Sequence, residues 1–329
     1  MLGTVLALTA CAGTTSGGGG DDATKRVAFL AAASQNGYNQ AVYDGIQHKI
    51  EELGNVEATI LDGEFDGQVQ FNQLQDVAAS GRYDGIIIVP NDSVSIAAAV
   101  QSARDAGIPV VAVVVPIGPD LATLEPQVPG VVATVGSPLA EGARGQAERV
   151  AEFCANRDPC KVVILIGLLS APYDNLRHQA YRDVLDRHGN IEVVATLEGS
   201  YDRDRSLQAT QDALQAHPDV DAILSNADQQ TFGAQLALEQ AGIDPSSVYL
   251  TGAGGAREAV KAVRDGIWAS DYLNFPTTQG EHALEQLVNA MSGRPVTPVI
   301  DSDELAPIGP FVTKAELDAD PGFTGQWSG

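Results

Sequence analysis

Short apolar runs alternate with amphipathic stretches along most of the chain. Residues 27–33 form a continuous apolar run, which is typical of a strand buried on both faces. Apolar residues then recur at helical spacing through 39–53, and Gly54 ends that stretch. Further apolar runs at 84–89 and 108–115 continue the alternation. The pattern predicts βαβ units and a mostly parallel sheet covered by helices on both faces.

The pattern restarts in the second half of the chain, and the two halves are alike. In the first half, a predicted strand is followed by Asn91, and the next helix ends in Ala-Gly-Ile at 106–108. In the second half, a strand is followed by Asn226, and the next helix ends in Ala-Gly-Ile at 241–243. A chance likeness between common βαβ patterns is the alternative. The matched order within each half favours an α/β fold of two doubly wound parallel-sheet lobes.

The first 20 residues differ in composition from the rest. Residues 1–10 are apolar, Cys11 follows a small residue, and Gly, Ser and Thr dominate the segment after it. This segment resembles a bacterial lipoprotein signal, although the basic residues that usually precede the apolar stretch are missing. An ordinary cysteine in a truncated leader is the alternative. We expect a signal peptide at 1–11, lipidation of Cys11, and a flexible tether at 12–24 that attaches the protein to the membrane only through lipid.

Charge and cysteine content narrow the function classes. The formal net charge of −24 argues against binding to nucleic acid, which needs clustered Lys and Arg. Cys154 and Cys160 flank a turn-like segment, and a disulfide between them is expected in an extracytoplasmic protein. Two free thiols are the alternative. No metal site is expected at this pair, because no His or further Cys lies near it in the sequence.

Several short motifs, taken in order, carry a family resemblance. They are Asn36-Gly37-Tyr38-Asn39, Asp44-Gly45, Asp84-Gly85-Ile86-Ile87-Ile88, Ala106-Gly107-Ile108-Pro109-Val110-Val111, Asn226-Ala227-Asp228, Arg264-Asp265-Gly266 and Val312-Thr313-Lys314. From about residue 26 to about residue 319 the chain resembles the ribose-binding-protein-like group of type I periplasmic binding proteins. The resemblance implies a substrate-binding lipoprotein of a sugar ABC transporter.

The resemblance implies two lobes joined by three crossing strands, with the ligand cleft between them. It assigns 25–136 and 275–299 to lobe one, and 137–274 and 300–329 to lobe two. It also implies a monomer outside the cytoplasm that captures a sugar or polyol by lobe closure. The closed form would deliver its ligand to the permease of an ABC importer.

Ligands of open parallel sheets bind beyond the carboxyl ends of the strands. Polar residues at those ends are therefore the candidate ligand contacts: Asn36, Tyr38, Asn39, Asn91, Asp92, Tyr173, Arg177, Asn226, Asp228 and Asn274. Amide, carboxylate and guanidinium groups suit a ligand with several hydroxyls, and a tyrosine ring can cover the apolar face of a sugar. Asn and Asp before a helix are often only N-caps, which is the alternative for Asn91 and Asp92.

The chain departs from the sugar-binding pattern of the family at two places. Val114 and Val115 stand where the family usually has an Asp-Arg pair, and Gly254 stands where it usually has Asp. Both changes remove strong hydrogen-bonding groups. We therefore expect a smaller polyol, an unusual sugar or a less hydroxylated molecule rather than an ordinary pyranose.

The sequence also bears on rival functions. The five His have no metal-ligand spacing and no Gly-x-Ser-x-Gly motif is present, so an enzyme is not expected. The run at 252–255 could cradle a phosphate, but it lacks the third spaced glycine of a dinucleotide site. No cofactor is expected. A binding protein for a non-sugar polar ligand and a sensory lipoprotein serving a chemoreceptor or kinase are the alternatives.

Overall fold

The computed structural model describes residues 24–329, which fold into two α/β lobes with a six-stranded sheet each. The strands of sheet one are β1 (Lys25–Ala31), β2 (Val56–Asp62), β3 (Gly85–Ile88), β4 (Val110–Val114), β5 (Val131–Gly136) and β11 (Val299–Asp301). The strands of sheet two are β6 (Cys160–Ile166), β7 (Ile191–Glu198), β8 (Ala222–Ser225), β9 (Tyr249–Gly254), β10 (Ser270–Leu273) and β12 (Phe311–Val312).

Helices cover both faces of each sheet. Lobe one carries α1 (Gly37–Leu53), α2 (Gly67–Ser80), α3 (Ala97–Asp105) and α9 (Pro276–Met291). Lobe two carries α4 (Leu139–Cys154), α5 (Pro172–Leu185), α6 (Arg203–Ala216), α7 (Asp228–Gln240), α8 (Arg257–Arg264) and α10 (Lys314–Ala319).

The central strands are apolar on both faces because each face packs against helices. In β1, Val27 and Phe29 belong to the core shared with α1 and α9, whereas Ala28 and Leu30 belong to the core shared with α2 and α3. All four side chains are fully buried. Alternate residues of a strand point to opposite faces, so a continuous apolar run is what a doubly covered strand requires.

The strand order is the same in both lobes, which confirms the predicted fold class. Sheet one runs β11-β5-β4-β3-β1-β2 and sheet two runs β12-β10-β9-β8-β6-β7. All neighbouring strands are parallel except β12, which is antiparallel to β10. The repeated βαβ pattern of the sequence thus produces two copies of one sheet topology.

The chain crosses between the lobes three times, after β5, after β10 and after β11. Because β11 pairs with β5, sheet one extends to Asp301, two residues beyond the boundary at 299 that the sequence suggested. The predicted signal peptide, Cys11 and the tether up to residue 23 lie outside the described residues. Within 24–329, no helix combines the length and the apolar character needed to span a bilayer.

Candidate functional site

A small cavity of about 80 Å³ lies between the lobes at the carboxyl ends of their strands. Lobe one contributes Ala32, Asn36, Tyr38, Asn39, Phe65, Val89, Val114 and Val115. Lobe two contributes Tyr173, Arg177, Tyr201, Asn226, Ala227, Gln229, Ala253 and Asn274. Drug-sized ligands occupy pockets of about 300–1,000 Å³, so this cavity suits a small molecule held by closed lobes.

The polar side of the cavity is organised around the buried carboxylate of Asp174. Its Oδ1 accepts hydrogen bonds from the Tyr201 hydroxyl at 2.6 Å and from Asn226 Nδ2 at 2.7 Å. Its Oδ2 accepts from the backbone N–H of Leu168 at 2.7 Å. Arg177 Nη1 lies 3.5 Å from Oδ1. Asp174 therefore fixes the orientation of three side chains that line the cavity.

Burial sets the charges of this cluster. It raises the pKa of Asp174, whereas the Arg177 guanidinium acts to lower it. Burial also raises the pKa of Tyr173 and of Tyr201, so both phenols stay protonated at neutral pH. Neutral phenols can donate hydrogen bonds, and the Arg177 side chain is only 15% exposed. The lobe-two wall thus presents hydroxyl and amide groups in fixed orientations and one buried cation to a ligand.

The lobe-one wall is built on the N-terminus of α1. Asn36 caps this helix, since its Oδ1 accepts from the N–H groups of Tyr38 at 3.0 Å and Asn39 at 3.2 Å. Asn39 is buried, and its Oδ1 accepts from the backbone N–H of Ala32 at 3.0 Å. The Tyr38 hydroxyl donates to Gln279 Oε1 at 2.9 Å. Asn36 and Asn39 therefore fix the first turn of α1, which places the Tyr38 ring at the cavity.

Three of the sequence candidates do not line the cavity. Asn91 Nδ2 donates to the carbonyls of Ala32 at 3.0 Å and Gly63 at 3.1 Å, which ties the ends of neighbouring strands together. Asp92 Oδ1 accepts from two backbone N–H groups of the turn before α3. Asp228 is fully buried in lobe two, and its Oδ2 accepts from the N–H of Ala256 at 2.7 Å. The other seven candidates all line the cavity.

Sequence reasoning missed two aromatic residues of the site. Phe65 and Tyr201 line the cavity from opposite lobes, and each has a left-handed backbone with φ of 53° and 54°. A signal for them was present, because each half of the chain carries Gly-x-aromatic-Asp after its second strand, at 63–66 and 199–202. The organising role of Asp174, next to the candidate Tyr173, depends on Tyr201 and Asn226, which reach it from distant parts of the chain.

The two departures from the family pattern both shape the site. Val114 and Val115 line the cavity with apolar side chains, and Val114 has a φ of 71° that a β-branched residue rarely adopts. Gly254 has a φ of 141°, and a Cβ there would lie 2.8 Å from Trp327 Cζ2 and 2.9 Å from Asp228 Oδ2. The space for a side chain at 254 is therefore already filled.

Other features of the described residues carry less chemistry. A wider groove of about 710 Å³ lies at the amino ends of the strands of sheet one, near Tyr83, Arg104 and Met291, and is open to solvent. No cluster of His, Cys, Asp and Glu within 24–329 is arranged to hold a metal ion. The structure joins Cys154 to Cys160 with an S–S distance of 2.07 Å, on the side of lobe two where β6 begins.

Comparison with known proteins agrees with this architecture. A family model described as periplasmic binding protein domain matches residues 27–295. The ribose import binding protein of Escherichia coli K12 is 26% identical over 272 residues, which cover 82% of this chain and 86% of that protein. The D-apiose import binding protein of Actinobacillus succinogenes is 26% identical and covers 80% of both chains.

Solved structures show the same fold. A protein from Mycobacterium smegmatis in complex with β-D-fucofuranose superposes with a TM-score of 0.79 at 20% identity, covering 91% of this chain and 95% of that one. A solute binding protein from Bacillus halodurans with bound myo-inositol has a TM-score of 0.77 at 22% identity, covering 91% and 98%.

Proposed function

Because the chain belongs to the periplasmic binding protein family, we propose that it captures a small sugar or polyol outside the cytoplasm for an ABC importer. The relatives named above import ribose and apiose, and the similar solved structures hold a furanose or an inositol. The ligand of this chain is also a sugar or polyol, and the cavity of about 80 Å³ favours a small one. It is bound without chemical change and passed to the permease by the closed form.

One observation carries this proposal: oriented polar groups converge on a small cavity between the two lobes. Arg177, Asn226 and Tyr201 are held in place by Asp174 and face the ring of Tyr38 across the cavity. Such a site can hydrogen-bond hydroxyls on one side and cover a C–H face on the other. Val114 and Val115 leave part of the wall apolar, which favours a ligand with fewer hydroxyls than a hexopyranose.

Capture is expected to close the lobes about the three crossings. The crossings are connected by hydrogen bonds, since Ser137 Oγ donates to Asp303 Oδ1 at 2.6 Å and the Tyr272 hydroxyl donates to Asp303 Oδ2 at 2.7 Å. Gln279 Nε2 donates to Ser302 Oγ at 2.9 Å, and Gln279 also accepts from Tyr38. Closure removes water from the ligand, which strengthens its hydrogen bonds.

A thermal-shift panel on the full chain with Cys11→Ala tests the ligand class. The panel contains D-ribose, D-apiose, D-allose, L-arabinose, myo-inositol and glycerol, with amino acids and nucleosides as comparison compounds. A ligand at about 100 times its dissociation constant stabilises the folded state by about 2.7 kcal/mol, which raises the melting temperature by several degrees. We expect such a shift for at least one sugar or polyol.

Two variants control the panel. Asn274→Ala removes a side chain from the cavity wall and is expected to reduce the shift, whereas Asn72→Ala on the exposed face of α2 should leave it unchanged. A shift produced by amino acids or nucleosides alone would refute the sugar assignment. An identical shift in both variants would place the ligand outside this cavity.

The membrane anchor is part of the same proposal. Attachment of lipid to Cys11 would keep the binding protein close to its permease, and the tether at 12–24 would allow it to reorient. Mass spectrometry of the protein from bacterial membranes should find a lipid-modified Cys11 at the new N-terminus, and Cys11→Ala should move the protein into the soluble fraction. An unmodified Cys11 in membrane-purified protein would refute the anchor.

A further inference from the structure

The C-terminal residues 320–329 lie across the junction of the two lobes, beyond the part that matches the family model. Trp327 Nε1 donates to the carbonyl of Gly254 at 2.7 Å, and the Trp327 carbonyl accepts from the N–H of Arg257 at 2.8 Å. Both partners belong to lobe two. The indole also meets the ring of Tyr38, in lobe one, edge to face at a centroid distance of 5.5 Å. One side chain thus contacts both lobes.

The neighbouring Gln326 fastens the same segment to lobe one. Its Oε1 accepts from the N–H groups of Thr277 at 3.0 Å and Thr278 at 3.2 Å, and its Nε2 donates to Thr278 Oγ1 at 2.8 Å. These N–H groups belong to the first turn of α9, whose N-cap residue Phe275 has no side-chain acceptor. The C-terminal segment therefore caps the helix that begins directly after the second crossing.

Close packing shows that the segment occupies a built slot. Trp327 is 2% exposed and belongs to the core cluster of lobe two. Gly254 provides room for the indole, because a Cβ at 254 would lie 2.8 Å from Trp327 Cζ2. Gly325 approaches the backbone so closely that a Cβ there would meet the Gly255 carbonyl. Because Gly254 and Gly325 have no side chain, the backbone can pack closely enough for the indole of Trp327 to reach Tyr38.

We propose that Trp327 is a positioning residue for ligand binding: it holds the Tyr38 ring against the cavity and fastens the two lobes in their closed arrangement. Its effect on affinity rests on the function proposed above, but its effect on lobe closure does not. If only closed molecules bind tightly, the dissociation constant rises in proportion to the fraction of molecules that lose the closed arrangement.

The test compares Trp327→Ala and Trp327→Phe with Phe323→Ala. Phe323 is a half-buried aromatic of the same segment, and its carbonyl accepts from Arg264 of lobe two. Spin labels on cysteines placed at the exposed Asn72 of α2 and Gln208 of α6 report the distance between the lobes by pulsed EPR. All proteins carry the full chain with Cys11→Ala, and D-ribose and myo-inositol are the binding probes.

Without ligand, Trp327→Ala is expected to give a longer and broader interlobe distance than the parent and Phe323→Ala. Its dissociation constant for a binding probe should rise about tenfold, with Trp327→Phe in between because it keeps a ring but loses the bond to Gly254. If Trp327→Ala does not fold, Trp327→Phe alone carries the comparison. Interlobe distances equal to those of Phe323→Ala would overturn the proposal. If neither probe binds the parent, the EPR distances alone test the role of Trp327 in lobe closure. The proposed function is then tested separately by the thermal-shift panel.

Discussion

Phe65 and Tyr201 stack across the cleft, with ring centroids 5.7 Å apart and planes inclined by 18°. They occupy equivalent positions in the two halves of the chain, between the second strand of each lobe and the helix that follows. The Asp after each aromatic caps that helix, at Asp66 and at Asp202. Two copies of one turn, each with a left-handed aromatic residue, therefore meet where the lobes close.

Removing one ring should weaken closure. Phe65→Ala is expected to reduce ligand affinity by about 0.5–1.5 kcal/mol, the contribution of a stacked aromatic pair, as measured by titration calorimetry. Phe65→Gly should lose the same affinity but unfold at higher denaturant than Phe65→Ala, because glycine adopts a positive φ without strain. Phe153→Ala, in a lobe-two aromatic pair at the end of α4, is the control. Affinity equal to that of this control would contradict a role for the stack.

The guanidinium of Arg177 is expected to anchor a ligand hydroxyl. Arg177→Ala should weaken binding by about 1.5–3 kcal/mol in calorimetry, since a charged donor in a dry cavity is lost. The matched control is Arg182→Ala on the same helix, where the side chain pairs with Asp186 near the surface. Equal affinities of the two variants would mean that Arg177 serves only to pair with Asp174.

Local pattern predicted the alternating strands and helices up to about residue 251 and the two-lobe fold, because doubly buried strands and amphipathic helices have distinct periodicities. It did not predict the elements from α8 to α10. It also located the strand ends that form the cavity, including Tyr38, Arg177 and Asn226. It could not tell that Asp228 is buried in lobe two, where its carboxyl accepts from the N–H of Ala256, because that contact joins distant parts of the chain. Nor could it reveal the contact between Trp327 and Tyr38, which joins the two ends of the chain.

The cysteine pair of lobe two yields a chemical prediction. Cys154 and Cys160 are both fully buried, and their Cα atoms are 5.6 Å apart. The intact mass should rise by the mass of two hydrogen atoms on reduction under denaturing conditions. The double variant Cys154→Ala, Cys160→Ala should lose about 2 kcal/mol of unfolding free energy, as expected for a short closed loop. A native mass that reduction does not change would show that the thiols are free.

Stability should also depend on pH through a pair of buried carboxyls in lobe two. Asp228 and Asp271 are fully buried, and Asp228 Oδ1 and both carboxyl oxygens of Asp271 have no hydrogen-bond partner among the described residues. Burial raises the pKa of Asp271 to about 7, and burial together with the charge of Asp271 raises the pKa of Asp228. Glu258, on α8, acts in the same direction on Asp228. The folded protein therefore keeps a carboxyl of this pair protonated at a pH where the unfolded chain has lost that proton.

The raised pKa values make the folded protein less stable as the pH rises. Between about pH 4 and pH 7 the folded state binds more protons than the unfolded state, so the free energy of unfolding falls as the pH rises through this window. The stabilisation from the pair is complete below about pH 4 and is lost above about pH 7. Asp271→Asn should flatten the profile, because an amide does not titrate in this pH range. Between pH 5 and pH 8, the free energy of unfolding measured in urea should fall by roughly 1–4 kcal/mol more in the parent than in Asp271→Asn. Asp265→Asn, at an exposed ion pair with Lys261, should keep the slope of the parent. If Asp271→Asn kept that slope as well, the raised pKa of Asp271 would not be the cause of the pH dependence.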